Sequence, residues 1–312
     1  MESKQTSLWH PKYWRTWFVI GLWKLFSQLP LSVLRLIGQL MATLMRKFAK
    51  RRCAIASRNI ELCFPELSPE QRESLLRKNL FHTSMNGLEM GMCWFQPHWR
   101  LKNIGDVTGL EHLQNLDSGA LMLSMHNTTI ETMSAVVNPY FTKIDMMYRA
   151  HKNPVFDHVQ RKARGRHNPE CKMIDRNDLR GAIKVMRSGR ILWYAPDQDY
   201  GIKQGIFATF FGIPAATITA TPRLAKLGKA PVVPIFHRRD DQGRCQVEIL
   251  PPLENFPSDD ENADVQRVND LIEAQVRKYP EQYLWVHRRF KTRPENSEPL
   301  YGKYSKGIRK NS

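Results

Sequence analysis

From residue 120 onward, short and mostly apolar runs alternate with longer segments of helical periodicity. The runs 120–125, 144–148, 191–195, 231–236 and 246–250 are the short, mostly apolar ones. An apolar run that ends at a polar turn reads as a buried strand. Between them, 128–137, 154–164, 178–187, 218–227 and 262–279 repeat apolar residues at helical spacing. Strands alternating with helices predict an α/β fold, a layered mixed sheet flanked by helices. Upstream, Ser68-Pro69-Glu70-Gln71 reads as a capping box with proline at the first helical position, opening a long helix to about residue 94. Residues 105–119 read as a strand and a turn.

The first 52 residues differ in kind. Residues 13–29 are rich in Trp, Phe, Ile and Leu, but Arg15 and Lys24 interrupt them and Pro30 ends the helix. A second helical pattern follows over 31–50. Leu34, Ile37, Met41, Leu44, Met45 and Phe48 are its apolar positions, and Arg35, Gln39, Thr43, Arg46 and Lys50 its polar stripe. Arg46, Lys47, Lys50, Arg51 and Arg52 crowd together behind it. Trp9, Trp14, Trp17 and Trp23 are four of the eight tryptophans. Aromatic residues at an apolar boundary with cations behind them predict an anchor at a membrane interface, on the cytoplasmic face. The pattern leaves spanning and interfacial anchoring equally open. No small-residue cleavage site follows, which argues against a cleaved signal peptide.

The chain has 312 residues and a formal net charge of +17. The excess of cations predicts polyanionic partners: anionic lipid headgroups, an acidic carrier protein or nucleic acid. Cys53, Cys63, Cys93, Cys171 and Cys245 are scattered, without a C-x-x-C pair, which speaks against a zinc site or disulfide framework. Phosphate-loop, dinucleotide-binding and serine-nucleophile elbow motifs are missing, as are recognisable nucleic-acid-binding signatures. Neither a cofactor nor a metal is expected. The division predicted is a membrane-associated helical segment over 1–52, a main domain over 53–295 and a basic flexible tail over 296–312.

The candidate chemistry sits at predicted strand ends, where open α/β sheets bind ligands. The first strand empties into His126-Asn127-Thr128-Thr129-Ile130-Glu131. Five positions on a helix turn through about 140°, so His126 must precede the helix and Glu131 lie within its first turns. Asn127, Thr128 and Thr129 are capping candidates for that junction. A histidine held by a carboxylate is a general base for a hydroxyl. Arg149 follows the next strand and suits bidentate contact with phosphate or carboxylate; Asn153-Pro154 starts the helix after it. Asp197 and Asp199 follow a further strand and suit loop fixing or polar substrate contacts better than a metal. In 285–294, His287, Arg288, Arg289, Lys291 and Arg293 lie between Trp285 and Phe290, which reads as a phosphate-facing, membrane-proximal patch or as a solvated basic edge.

Taken together, these segments resemble the late acyltransferases of bacterial lipid A biosynthesis, within the lysophospholipid and glycerolipid acyltransferase superfamily. The segments that carry the resemblance are His126–Glu131, Tyr148-Arg149 through Asn153-Pro154 and Asp157, Asp175-Arg176-Asn177-Asp178, Trp193 through Gly201, Val232-Val233-Pro234, and Glu281 through Pro294. The resemblance covers nearly the whole chain. It implies transfer of a fatty acyl chain from acyl carrier protein to the hydroxyl of a 3-hydroxyacyl chain on a lipid A precursor, Kdo2-lipid IVA or its acylated product. It also implies a site on the cytoplasmic face of the inner membrane. It makes His126 the catalytic base and Glu131 its acidic partner, where much of the superfamily has Asp. The superfamily's Glu-Gly-Thr-Arg-like block is replaced by Pro196-Asp197-Gln198-Asp199-Tyr200-Gly201. Asp197 and Asp199 therefore join Arg149, Asn153 and Arg176 as substrate-binding candidates. The competing readings are a glycerophospholipid acyltransferase with the same chemistry, and a non-enzymatic basic protein that binds membrane or nucleic acid.

Overall fold

The computed structural model describes residues 7–302, so the predicted tail lies outside the described residues from 303 on. Four helices come first: α1 (Trp14–Phe26), α2 (Leu31–Phe48), α3 (Lys50–Cys63) and α4 (Pro69–Phe95). The capping box at the start of α4 forms as predicted, with Ser68 and Gln71 bonded reciprocally. The chain continues through α5 (His98–Leu101), β1 (Gly105–Thr108), α6 (Glu111–Gln114), β2 (Ala120–Leu123), α7 (Ile130–Val137), β3 (Ile144–Tyr148), α8 (Pro154–His167), β4 (Met173–Asp175), α9 (Leu179–Arg187) and β5 (Ile191–Tyr194). After β6 (Gly205–Phe210) and β7 (Ile213–Ile218) come α10 (Ala220–Gly228), β8 (Val232–Arg239), β9 (Cys245–Ile249) and α11 (Glu261–Lys278).

Seven strands form one sheet in the order β1-β9-β8-β2-β5-β3-β4, and β6 and β7 form a separate antiparallel hairpin. Five strands from β8 to β4 are parallel; β9 turns back against β8, and β1 runs parallel to β9. This is the predicted mixed, helix-flanked sheet. Its central strands are buried on both faces, which explains their unbroken apolar runs. Leu121, Leu123, Leu192 and Tyr194 face one core layer with α3, α9, α10 and α11. Met122, Trp193, Val233 and Ile235 face the other, beneath α7. The connection β3–α8–β4 steps outward along the sheet and β4–α9–β5 steps back. Right-handed crossovers then place α8 and α9 on opposite faces. The packing agrees: Ala163 of α8 meets Trp94 and Ala135, whereas Ala182, Val185 and Met186 of α9 join the other layer.

Helices α1 and α2 bury little of their apolar surface. Of α1 only Ile20 is buried, while Trp14, Phe18, Val19, Leu22, Leu25 and Phe26 are exposed. In α2, Leu34 and Gly38 pack toward Met85 and Phe81 of α4, but Val33, Leu36, Leu40, Leu44 and Phe48 face outward. Thus α2 has two apolar flanks, one on the protein and one uncovered, separated on one side by Arg35, Gln39, Thr43 and Arg46. Among the described residues, no helix is long and apolar enough to cross a membrane.

Candidate active site

His126 lies where predicted, in the loop between β2 and α7, and Glu131 is the second residue of α7. The loop is pinned from three sides. Ser124 donates its backbone N–H to Tyr194 O at 2.8 Å, keeping the loop against β5. Asn127 donates its side-chain amide to His237 O at 2.7 Å, tying it to β8. The segment after α11 closes the third side: Thr128 N–H donates to Gln282 O at 3.0 Å, and Leu284 N–H to His126 O at 3.1 Å. The predicted caps serve other ends. Thr129 is the N-cap of α7, but its hydroxyl bonds His237 Nδ1 at 2.7 Å instead of the helix.

The carboxylate that holds His126 is that of Asp197. His126 Nδ1 lies 2.6 Å from Asp197 Oδ1, and the His126 backbone N–H donates to Asp197 Oδ2 at 3.0 Å. Adjacent strands β2 and β5 bring the two together. Burial pushes the Asp197 carboxyl up, but the neighbouring imidazole and these hydrogen bonds outweigh it and hold the group at about 2. An ionised Asp197 fixes the proton on Nδ1 and leaves Nε2 as the basic nitrogen. The imidazole stays 22% exposed while the Asp197 side chain is 2% exposed, so the ring can be reached from outside and the carboxylate cannot.

The predicted His126–Glu131 contact is corrected accordingly. Glu131 pairs with Arg164 of α8 and accepts from Trp94 Nε1 at 2.9 Å. Burial raises its carboxyl, but Arg164 and Trp94 leave it net lowered. A spacing argument puts Glu131 near the junction but not against the ring, because α7 carries it toward α4 and α8. Next to it, a second buried pair joins Arg239 of β8 to Glu89 of α4, with His82 on the same guanidinium. Arg239 also exchanges two backbone bonds with the Gln282 side chain.

The other predicted residues divide. Arg149 is exposed just past β3, and Arg176 lies just past β4 with its guanidinium 5.3 Å from the Tyr200 ring centre. Tyr200 in turn feels the charges of Asp197, Arg176 and Arg149. The sheet order thus sets His126, Asp197, Arg149 and Arg176 in a row along one edge, at a spacing of about 4.8 Å per strand. Asn153 is occupied structurally. It caps α8 by accepting from Val155 and Phe156 N–H, and donates to Thr16 of α1 at 2.9 Å. Asp199 is a loop-fixing residue, bonded to Thr292 N–H and hydroxyl, to Gly201 N–H and to Lys291.

The stretch 285–294 is not a surface patch. Trp285, Phe290 and Arg289 are almost fully buried. Arg289 donates to Ala216 O and Thr217 Oγ1 in the β6–β7 hairpin, and Arg293 donates to Pro214 O. Sequence reasoning missed the residues that hold this stretch under the site. Asn59 of α3 donates to the carbonyls of Trp285 and His287, and Asn79 of α4 to those of Glu281 and Tyr283. Tyr283 packs behind Asp197, its hydroxyl 3.5 Å from Asp197 O. Asparagine is a poor helix former, and its presence inside two helices was the available signal.

The profile of the family described as bacterial lipid A biosynthesis acyltransferase matches residues 1–292. The lipid A biosynthesis lauroyltransferase of Escherichia coli (strain K12) is 39% identical over 301 residues, 95% of this chain and 97% of that protein. The palmitoleoyltransferase of the same organism is 39% identical over 297 residues, 94% of this chain and 96% of that one. A lipid A biosynthesis acyltransferase of Haemophilus influenzae is 37% identical over 295 residues, 93% and 94% respectively.

Proposed function

The chain belongs to the bacterial lipid A biosynthesis acyltransferase family, and from that premise we propose the identity of its donor, its acceptor and its base. The donor is a fatty acyl thioester of acyl carrier protein. The acceptor is the hydroxyl of a 3-hydroxyacyl chain on a lipid A precursor, Kdo2-lipid IVA or its acylated product. The observation that carries the mechanism is the His126–Asp197 pair, a partly exposed imidazole bonded through Nδ1 to a buried carboxylate. His126 Nε2 takes the acceptor hydroxyl proton as that oxygen attacks the thioester carbonyl. The tetrahedral intermediate collapses, the C–S bond breaks, and the imidazolium returns the proton to the leaving thiolate. The new bond is an acyloxyacyl ester. A thioester is already activated, so no acyl-enzyme is needed. Base catalysis contributes about 10²–10⁴ in rate, and positioning of the two substrates supplies much of the remainder.

Arg149 and Arg176 bind the acceptor's phosphate groups along the sheet edge, where Arg suits bidentate phosphate contact. Glu131 has a supporting role, holding α7 to α8 and α4 through Arg164 and Trp94. The exposed flanks of α1 and α2 lie in the interface of the cytoplasmic leaflet of the inner membrane. Trp9, Trp14 and Phe18 would be among their apolar contacts, and Lys24, Arg46 and Lys47 would face anionic headgroups. Because Thr16 of α1 bonds Asn153 beside the Arg149 loop, this anchoring keeps the reactive edge at the bilayer.

The test is His126→Ala. The variant is expected to reach the membrane fraction and to form no acyloxyacyl product by mass spectrometry of the lipid A precursor. Turnover near that of the parent enzyme would refute the base assignment.

A further inference from the structure

Helix α9 carries a stripe of cations that the proposed chemistry does not use. Arg180, Lys184 and Arg187 recur at intervals of four and three residues and all point outward, while Ala182, Val185 and Met186 are buried beneath them. Arg180 and Lys184 form no ion pair among the described residues. Arg187 reaches Leu227 O of α10 at 2.8 Å, which joins the stripe to exposed Lys226 of that helix. The nearby acids are engaged or peripheral. Asp178 caps the N-terminus of α9 through Gly181 N–H, Glu261 pairs with Arg223, and Asp259 lies beside Lys226 in a shallow surface cavity.

Position decides what such a stripe can meet. Its first residues follow β4 and Arg176, so it begins at the reactive edge of the sheet. It lies on the face opposite to α8, the helix that packs with α1. The α1 side of the proposed membrane contact is thus across the sheet from α9. The stripe is moreover poor in exposed apolar residues, with Leu179 and Leu227 as its large ones. A cationic surface of this kind fits an acidic globular partner better than a lipid surface.

We infer that the outer face of α9, extended by Lys226 of α10, docks the acidic carrier protein that delivers the acyl chain. The inference rests on the donor reading above. The carrier then sits on one face of the sheet and the membrane on the other, and the two substrates meet at the edge between them. Rim charges of this sort act mainly on association, so the docking surface sets KM for the carrier and not the rate of the chemical step.

The experiment is the double variant Lys184→Glu/Arg187→Glu, assayed with acyl carrier protein as donor and vesicles containing anionic lipid. KM for the acylated carrier is expected to rise about tenfold or more, with kcat at saturating donor and vesicle co-sedimentation both unchanged. In the parent enzyme, raising ionic strength should increase the same KM, and the variant should lose most of that dependence. An unchanged KM in a variant that remains folded by circular dichroism overturns the surface. Loss of vesicle binding with KM retained also overturns it and assigns the stripe to the membrane. A parent enzyme that uses a small acyl thioester but not the carrier overturns the donor reading itself, and this surface with it.

Discussion

Asp197 and Glu131 are both buried carboxylates, each bonded to a nitrogen-bearing side chain of a neighbouring element, His126 and Arg164. The difference lies in that side chain. Asp197 holds an imidazole that reaches solvent, a ring with one nitrogen left to accept a proton. Glu131 holds a guanidinium, which does not give up its proton in a protein. The Arg164 side chain is 12% exposed against 22% for His126. One pair is therefore equipped for proton transfer, whereas the other holds three helices together. Two buried carboxylates thus differ in what they do through the chemistry and access of a single partner.

The comparison can be broken first at Asp197. Asp197→Asn is expected to lower kcat by about 10²–10⁴, since the amide no longer stabilises the imidazolium, while the melting temperature shifts by only a few degrees. A kcat within threefold of the parent would remove Asp197 from the mechanism. Next in size is Glu131→Gln, which leaves Arg164 without its charge partner. Stability should fall by about 3 kcal/mol in urea titrations, with kcat at low temperature within about tenfold. Replacing both partners, Glu131→Leu/Arg164→Met, should recover most of the loss. A stable Glu131→Gln protein with the activity loss of Asp197→Asn would reverse the two roles.

The smallest effect concerns acid. His237 is pushed down to about 3 and His82 to about 3, in both cases first by burial; burial likewise lowers His287 to about 4. In the unfolded chain these rings titrate near about 6.5. Below that pH the unfolded state binds protons that the folded state refuses, so stability falls as pH falls, and it is not affected above it. Each ring contributes up to about 1.4 kcal/mol per pH unit. His237→Gln should flatten the acid limb of the stability curve between pH 6 and 4 by roughly that slope. An unaltered limb would show that His237 is charged in the fold.

Much of this architecture was legible because burial writes itself into apolar runs. β3 begins and ends where its run does, and β2, β5, β8 and β9 lie within a few residues of theirs. The hairpin β6–β7 was not legible. Its turn places Phe211 and Gly212 at positive φ, 52° and 72°. Such turns favour Asn-Gly or Asp-Gly, and a Phe in the first place hides the signal. The His126–Asp197 pair was hidden for another reason. The two residues are 71 positions apart, and they meet only because β5 inserts beside β2, an adjacency that no local spacing encodes. The stretch 285–294 misled because cations alternating with aromatic residues describe a wet surface as well as a buried one. What separates them is whether carbonyls such as Ala216 O await the guanidinium.

The strap that runs under His126 has a consequence in time. Tyr283, Leu284 and Thr292 follow α1 and α2 far downstream in the chain, and they supply contacts to the loop of His126, to Asp197 and to Asp199. During synthesis the uncovered flanks of α1 and α2 leave the ribosome long before that strap does. A growing chain thus presents those apolar flanks first, and gains the pinned His126–Asp197 pair only when the strap has been released and folded back.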